Sequence, residues 1–363
     1  MKFDFFSAKS QPLIGVDISS ASVKMVELAD AGKGSYRVER YAIAPYAKPK
    51  GAESADAVVD GNVANLELVA ETVKFAWKLM DTRERRVALA LPAAAVISKK
   101  VLLQAGLREE DMELQVEAEA NQYIPFSLDE VNIDFQVLGA APNNPEEVEV
   151  LIAASRKEKI EDRIAAAEGA GLKVAIMDVE NYATETAYSL VAGQLPNGGQ
   201  EQTVMIVDIG SLMMHINVLH DNQSVYIREQ TFGGAQLTQE IQHKYGMTAE
   251  EAESAKRKGG LPDSYEPEVL QPFVQSLAME VARAMQFFTS STQHNHVNHI
   301  LLAGGCASIP GVANEVAERT KVPTIVVNPF AGMDISSHIK MRQLELDAPA
   351  LMIACGLAMR RFD

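Results

Sequence analysis

Apolar positions along the chain fall into distinct rhythms. Leu13 to Asp17 is an apolar run ending in a carboxylate, and Ser22 to Leu28 interleaves Val23, Met25, Val26 and Leu28 with Lys24 and Glu27. This predicts a strand, a tight turn and a second strand. From Leu66 to Met80, Val69, Val73, Ala76 and Leu79 return at helical spacing, predicting a helix with those four on its apolar stripe. The stretch before it, Ala47 to Asn65, is rich in Pro, Lys, Gly, Glu and Asp and reads as a loop.

The rhythm changes at Arg86. Val87 to Leu91, Val96 to Leu103, Val131 to Leu138 and Val148 to Ala154 read as strands, Glu109 to Tyr123 as an acidic helix, and Arg156 to Ala170 as a helix closed by Gly171. We expect these to form one α+β insert over residues 86–171. Strand patterns return at Val174 to Met177 and Val204 to Ile209, separated by a helix over Tyr182 to Val191 and a flexible linker of Pro196, Asn197, Gly198 and Gly199. Met214 to Leu219 and Ser224 to Glu229 predict a hairpin turning at Asp221 and Asn222. Leu237 to Tyr245 and Ala249 to Lys258 read as helices. Between Val269 and Thr289, Phe273, Val274, Leu277, Val281, Ala284, Met285 and Phe288 hold the helical period, and His299 to Ala303 forms a strand running into paired glycines.

At 363 residues and 47% hydrophobic content the chain can bury more than one core. Its net charge of −16 repels phosphodiester backbones and argues against nucleic acid as a partner. Cys306 and Cys355 form no Cys-x-x-Cys pair, so a reducing cytoplasm fits best. No apolar run has spanning length. Phe3, Phe5 and Phe6 could be a membrane toe-hold or an arm packed on protein.

Three short elements carry candidate chemistry. The first is Gly15, Val16, Asp17, Ile18, Ser19, Ser20, Ala21, Ser22, Val23, Lys24, in which small residues let backbone N–H groups approach phosphate and the carboxylate can hold a hydrated Mg²⁺. Alone, an aspartate shortly before Ser-Ser is most often just a turn or an Asx cap. The second repeats it: Val207, Asp208, Ile209, Gly210, Ser211, again entering a strand. Two strand, Asp-Ile-small-Ser, strand units suggest a duplicated domain whose hairpins clamp one nucleotide. The third is Ala303, Gly304, Gly305, Cys306, Ala307, Ser308, Ile309, Pro310, Gly311, which follows neither the dinucleotide nor the Walker pattern. His294, His296 and His299 lack a neighbouring carboxylate or Cys cluster of metal-site type.

In this order the elements resemble the phosphate 1, phosphate 2 and adenosine motifs of the actin, Hsp70 and sugar-kinase superfamily. The resemblance implies an α/β, actin-like and ribonuclease H-like, duplicated two-lobed fold binding ATP and Mg²⁺. It assigns phosphate contacts to Asp17, Ser19, Ser20, Ser22, Lys24, Asp208, Gly210, Ser211, Gly233 and Gly234. It assigns ribose and base contacts to Glu253, Lys256, Gly304, Gly305, Cys306 and Ala307, and water-mediated Mg²⁺ binding to Asp17 and Asp208. Glu180 is the candidate for positioning an attacking water, though a glutamate opening a helix also suits the helix dipole. Ser19 and Cys306 stand where glycine is common in the superfamily, which implies ATP binding with weak or no hydrolysis.

The insert sits where FtsA carries one, and Glu117 to Asp134 with its Tyr123, Ile124, Pro125, Phe126 segment resembles the PilM family of type IV pilus platform proteins. That likeness runs from about Pro12 to Arg361. It implies a cytoplasmic scaffold, peripheral to the inner membrane, that binds the N-terminal peptide of PilN and through it PilO, with contacts to the pilus motor ATPases and a role in pilus biogenesis and twitching motility. Tyr123, Ile124, Pro125 and Phe126 are candidates for the wall of the peptide groove; equally, Tyr123 and Phe126 plug the insert onto its neighbour. The implied division is lobe 1 at 1–85 and 172–200, the insert at 86–171, lobe 2 at 201–240 and 300–345 with a helical subdomain at 241–299, and a helix at 346–363 returning to lobe 1. The rival readings are an active ATPase or phosphotransferase, and an FtsA-like membrane-associated filament protein.

Overall fold

The computed structural model describes residues 11–32, 34–46, 56–141 and 144–362. The N-terminal phenylalanines and residues 47–55 of the expected loop lie outside them; its remainder, 56–65, is not all loop but carries a short two-stranded ribbon. The chain opens with β1 (Ile14–Ile18), β2 (Ser22–Gly32), β3 (Ser35–Pro45), a ribbon of β4 (Val58–Val59) and β5 (Asn62–Val63), α1 (Leu66–Met80) and β6 (Arg86–Leu91). Then follow β7 (Val96–Gln104), α2 (Glu109–Ala120), β8 (Val131–Ala141), β9 (Asn144–Arg156), α3 (Lys157–Gly169), β10 (Lys173–Val179) and α4 (Glu180–Ala192). The second half comprises β11 (Thr203–Ile209), β12 (Met214–His220), β13 (Gln223–Gln230), α5 (Gly234–Tyr245), α6 (Ala249–Lys258), α7 (Gln271–Ser291), β14 (His299–Ala303), α8 (Val312–Thr320) and β15 (Thr324–Val326). β16 (Asp334–Ile335), α9 (Met341–Asp347) and α10 (Met352–Met359) complete it.

The duplication is explicit in the strand order. One sheet runs β10-β6-β1-β2-β3-β16 and the other β13-β12-β11-β14-β15. In each, an antiparallel meander starts at the central strand and two parallel strands join that strand's other side. The register repeats too: Asp17 faces Lys24 across β1 and β2, and Asp208 faces His215 across β11 and β12. Asp221 and Asn222 make the β12–β13 turn with φ of 51° and 64°, the left-handed pair that matches the twist of a tight hairpin.

α1 and α3 cover one face of the first sheet, burying Val69, Val73, Ala166 and Ala167 against Ile14, Val16 and Leu89. Asn65 caps α1, its side chain accepting from the Leu68 N–H, and Asp81 ends the helix in the left-handed region. Leu79, expected on the buried stripe, is instead 52% exposed, because the stripe drifts to Met80 at the last turn. α4 and α10 lie where the two sheets meet. Tyr188 and Val191 of α4 join Ile206, Leu301 and Met352 in one core cluster, so α4 belongs to both lobes rather than to lobe 1 alone. Two glycines permit this packing: a Cβ on Gly15 would sit 2.0 Å from Ala354 O, and one on Gly356 would sit 1.8 Å from Ala183 O.

The α+β insert is narrower than 86–171. β6 pairs with β1 and β10 in the main sheet, and α3 packs on α1, leaving β7, β9 and β8 as a separate three-stranded sheet with α2 upon it. An apolar run such as Val87 to Leu91 suits either sheet; what decides it is the parallel partner on each side. The expected flexible linker at 196–199 is also revised. Asn222 Nδ2 donates to Gly198 O at 3.1 Å and Gly199 is buried against Tyr188, so the turn is tied to the β12–β13 hairpin. Among the described residues no helix is long and apolar enough to cross a membrane.

Candidate functional site

The two Asp-bearing strand ends converge between the lobes. Asp17 is 2% exposed and accepts from Lys24 Nζ at 2.7 Å; Ser19 Oγ accepts from the same ammonium at 3.2 Å. Burial works against the charge on Lys24, but Asp17, Asp208 and Glu180 outweigh it and raise its pKa. The lysine of one lobe thus lies in the field of both motif aspartates. Ser19 is committed within its loop, its Oγ donating to Ser22 O at 2.9 Å, and Ser22 is buried, leaving Ser20 as the partly open hydroxyl of the turn.

His215 is the lobe 2 counterpart of Lys24. Its Nδ1 lies 3.5 Å from Glu229 Oε1, and it lines a cavity of about 30 Å³ with Glu180, Asn181, Thr184, Asp208 and Asn217. That volume suits a single water-sized molecule among several polar groups. Burial disfavours the imidazolium, but Glu229, Glu180 and Asp208 push His215 up to about 9. In return His215 holds the Glu229 carboxyl below its ordinary value. Burial raises the Asp208 carboxyl while Lys24 and His215 pull it back. Burial likewise raises Glu180, opposed by Arg163 and His215. Sequence reasoning missed His215, although one signal pointed to it: seven residues separate Asp17 from Lys24 and Asp208 from His215, placing a cation opposite each aspartate.

Arg163 was missed as well. It is 3% exposed on α3, its Nη1 donating to Ile18 O at 3.4 Å and its Nη2 to Gly61 O at 2.8 Å, so it pins the end of β1 from behind. A single arginine among the alanines of α3 reads from sequence as a solvent-facing residue, and no pattern marks it.

On the lobe 2 side the glycines fit closely. A Cβ on Gly233 would lie 2.3 Å from Ser211 O, and one on Gly234 2.8 Å from Cys306 Sγ. Gly304, at φ 83°, approaches Ile209 O and Asp208 Oδ1, where a Cβ would stand 2.4 and 2.5 Å away. Gly210 N–H donates to Met213 O at 2.9 Å, closing the turn that carries Ser211, and a Cβ there would stand 3.1 Å from the same oxygen. Gly305 has open space at its Cβ position, so backbone alone borders the cleft there. Cys306 and Ala307, expected beside ribose or base, turn their side chains into the lobe 2 core. The Cys306 thiol donates to Gly210 O at 3.3 Å, and burial raises its pKa to about 11, which makes it a packed small residue. Lys256 Nζ meets Glu253 Oε2 at 2.5 Å and Thr238 Oγ1 at 2.9 Å, and lies 3.4 Å from Gly234 O. It therefore joins α6 to the start of α5 at the glycine pair.

These residues fit a nucleotide in outline: glycine-lined backbone at Gly233, Gly234 and Gly305, cations at Lys24 and Lys256, and two carboxylates. They do not form a protein cage for a metal, since among the described residues no three His, Cys, Asp or Glu converge suitably. Mg²⁺ commonly uses one or two carboxylates with waters and substrate phosphates, which Asp17 and Asp208 could supply.

In the insert, Ile124 is buried in the core formed by Met112, Val116 and Ile152, so it is not a groove wall. Pro125 is exposed and Phe126 is 40% exposed beneath the Arg156 guanidinium; the Tyr123 ring carries the Lys99 ammonium 4.4 Å from its centre.

Residues 15–362 match the family model described as type IV pilus assembly protein PilM. A solved structure of a PilM-PilN type IV pilus biogenesis complex aligns at 25% identity and a TM-score of 0.77, covering 97% of this chain and 98% of that one. Ethanolamine utilization protein EutJ from Carboxydothermus hydrogenoformans aligns at 16% identity and 0.55, over 96% of this chain and 89% of that one. An archaeal actin homolog, Ta0583, aligns at 13% and 0.50, over 96% and 99%; these last two bear on the fold alone.

Proposed function

Because the chain belongs to the type IV pilus assembly protein PilM family and has an actin-like fold, we propose that it is a nucleotide-responsive adaptor of the pilus assembly platform. The observation that carries the nucleotide part is the repeated pairing of Asp with a cation, Asp17 with Lys24 and Asp208 with His215, at two hairpins sharing one electrostatic field. Lys24 would receive phosphate charge in exchange for Asp17, Ser20 and Ser211 would lend hydroxyls and N–H groups, and Lys256 and the Gly305 backbone would border ribose and base. ATP with Mg²⁺ would supply the charge that draws the lobes together. Calorimetric titration with Mg-ATP tests this: micromolar or tighter binding that falls at least tenfold in Asp208→Ala supports it, and no binding to the wild type sinks it.

The PilN-bound relative supports a partner of PilN type; that the partner is engaged through a peptide and leads on to PilO is part of the proposal. The exposed Pro125 and Phe126, with Tyr123 and the cations Lys99 and Arg156, offer an aromatic and basic surface for it. Placement on the cytoplasmic face of the inner membrane, contact with motor ATPases and a part in twitching belong to the same proposal. Closure can reshape the peptide surface only if nucleotide prefers one lobe arrangement. A slow ATPase is a second reading, favoured by the cavity that Glu180 and His215 share: Glu180 would hold a water by its carboxylate while His215 fixes the water's orientation. Equal turnover in Glu180→Gln and wild type would remove that reading.

A further inference from the structure

A separate cleft of about 250 Å³ opens in lobe 2 between α8 and the start of α7. The chain enters α7 through a π-helical turn at Glu266–Leu270, and Leu270, Val274 and Pro310 give the cleft an apolar strip beside the amides of Gln271, Gln275 and Asn314. The rim is acidic: Glu266, Glu315 and Glu318 border the same opening. Arg319 lies 3.3 Å from Glu315, whereas Glu266 and Glu318 have no cationic partner among the described residues. Apolar strip, amide donors and acceptors and anionic rim together suit an occupant that is aliphatic along its stem and cationic, with several N–H donors, at its tip.

The geometry points to an arginine-anchor site, in which a basic segment of a partner protein lays one Arg stem on Leu270, Val274 and Pro310 and its guanidinium between Glu266 and Glu318. The volume lies below the ~300–1,000 Å³ of small-molecule sites and suits one long side chain. Long cationic side chains routinely cover apolar surface with their methylenes and keep the charge at the rim. Arginine is also the charged residue most enriched at the energetic centres of interfaces, and its planar fork can engage two carboxylates. A bare cation fits less well, because no converging set of metal ligands is present among the described residues. The site uses none of the residues placed at the interlobe cleft, so it stands or falls apart from the nucleotide proposal.

The test uses the full chain with methyl-labelled Leu and Val and the probe acetyl-Leu-Arg-amide, with acetyl-Leu-citrulline-amide as its uncharged isostere. Saturable shifts of the Leu270 and Val274 methyls are expected with the arginine probe. They should weaken severalfold between 20 and 500 mM salt, by analogy with screened exposed charges, and at least about tenfold in a Glu266→Gln, Glu318→Gln double variant. Citrulline should leave both methyls unmoved. Equal response to the two probes, or none to either, overturns the proposal on wild-type protein alone, whatever the variant's stability.

Discussion

His215 offers the sharpest single test of the site's electrostatics. Its imidazole rises from an ordinary 6.5 to about 9 because three carboxylates surround it. The folded state therefore holds this proton more tightly than the unfolded chain. Its stabilisation is complete below pH 6.5, where both states are protonated, and is lost as pH climbs through 9. Taken at face value the rise corresponds to about 3 kcal/mol. The side chain is 35% exposed, so solvent screening reduces this to about 1–2 kcal/mol. Replacing His215 by Gln keeps a polar side chain and removes the titration. We expect the imidazole resonance of His215 to titrate near 9, and the wild-type melting temperature to fall by roughly 1–3 °C relative to His215→Gln between pH 6.5 and 9.5. An imidazole titrating at or below 6.5, with parallel melting profiles for the two proteins, would refute the reasoning.

Lys24→Met strands the buried Asp17 without its cation and should cost about 3–5 kcal/mol by urea unfolding; adding Asp17→Asn should recover most of the loss. Gly304→Ala places a Cβ against Ile209 O at a left-handed φ and should destabilise by more than about 2 kcal/mol. Gly305→Ala meets open space, and should hold stability within about 0.5 kcal/mol while weakening nucleotide binding measured by calorimetry. Asn65→Ala removes the cap of α1 and should cost about 1 kcal/mol in the same unfolding assay.

What the sequence disclosed and what it hid have physical causes. α1 was legible to the residue because an Asn cap, an apolar stripe and a basic last turn all agree on its bounds. The duplicated motif was legible because Asp-Ile-small-Ser recurs at the end of an apolar strand each time. β3 escaped notice although Gly32 and Gly34 mark the turn before it, since Arg37, Glu39 and Arg40 break up its apolar residues. Sheet membership was hidden from β6 because periodicity says which faces are apolar and is silent on which strands lie beside them. Cys306 and Ala307 were placed at the ligand by resemblance, yet the left-handed turn at Gly304 directs their side chains inward. Arg163 gains its meaning only from Ile18 and Gly61, more than a hundred residues away, and His215 from strand neighbours Asp208 and Glu229 together with Glu180 of another element.

The central claim is that nucleotide and partner peptide are coupled through one two-lobed molecule. Calorimetric titration with a PilN-type N-terminal cytoplasmic peptide, with and without Mg-ATP, on wild type and Asp208→Ala, tests it most directly. The account predicts that Mg-ATP changes peptide affinity at least severalfold in the wild type and not in the variant. Peptide binding that ignores nucleotide in both proteins, or no peptide binding in any condition, would contradict it.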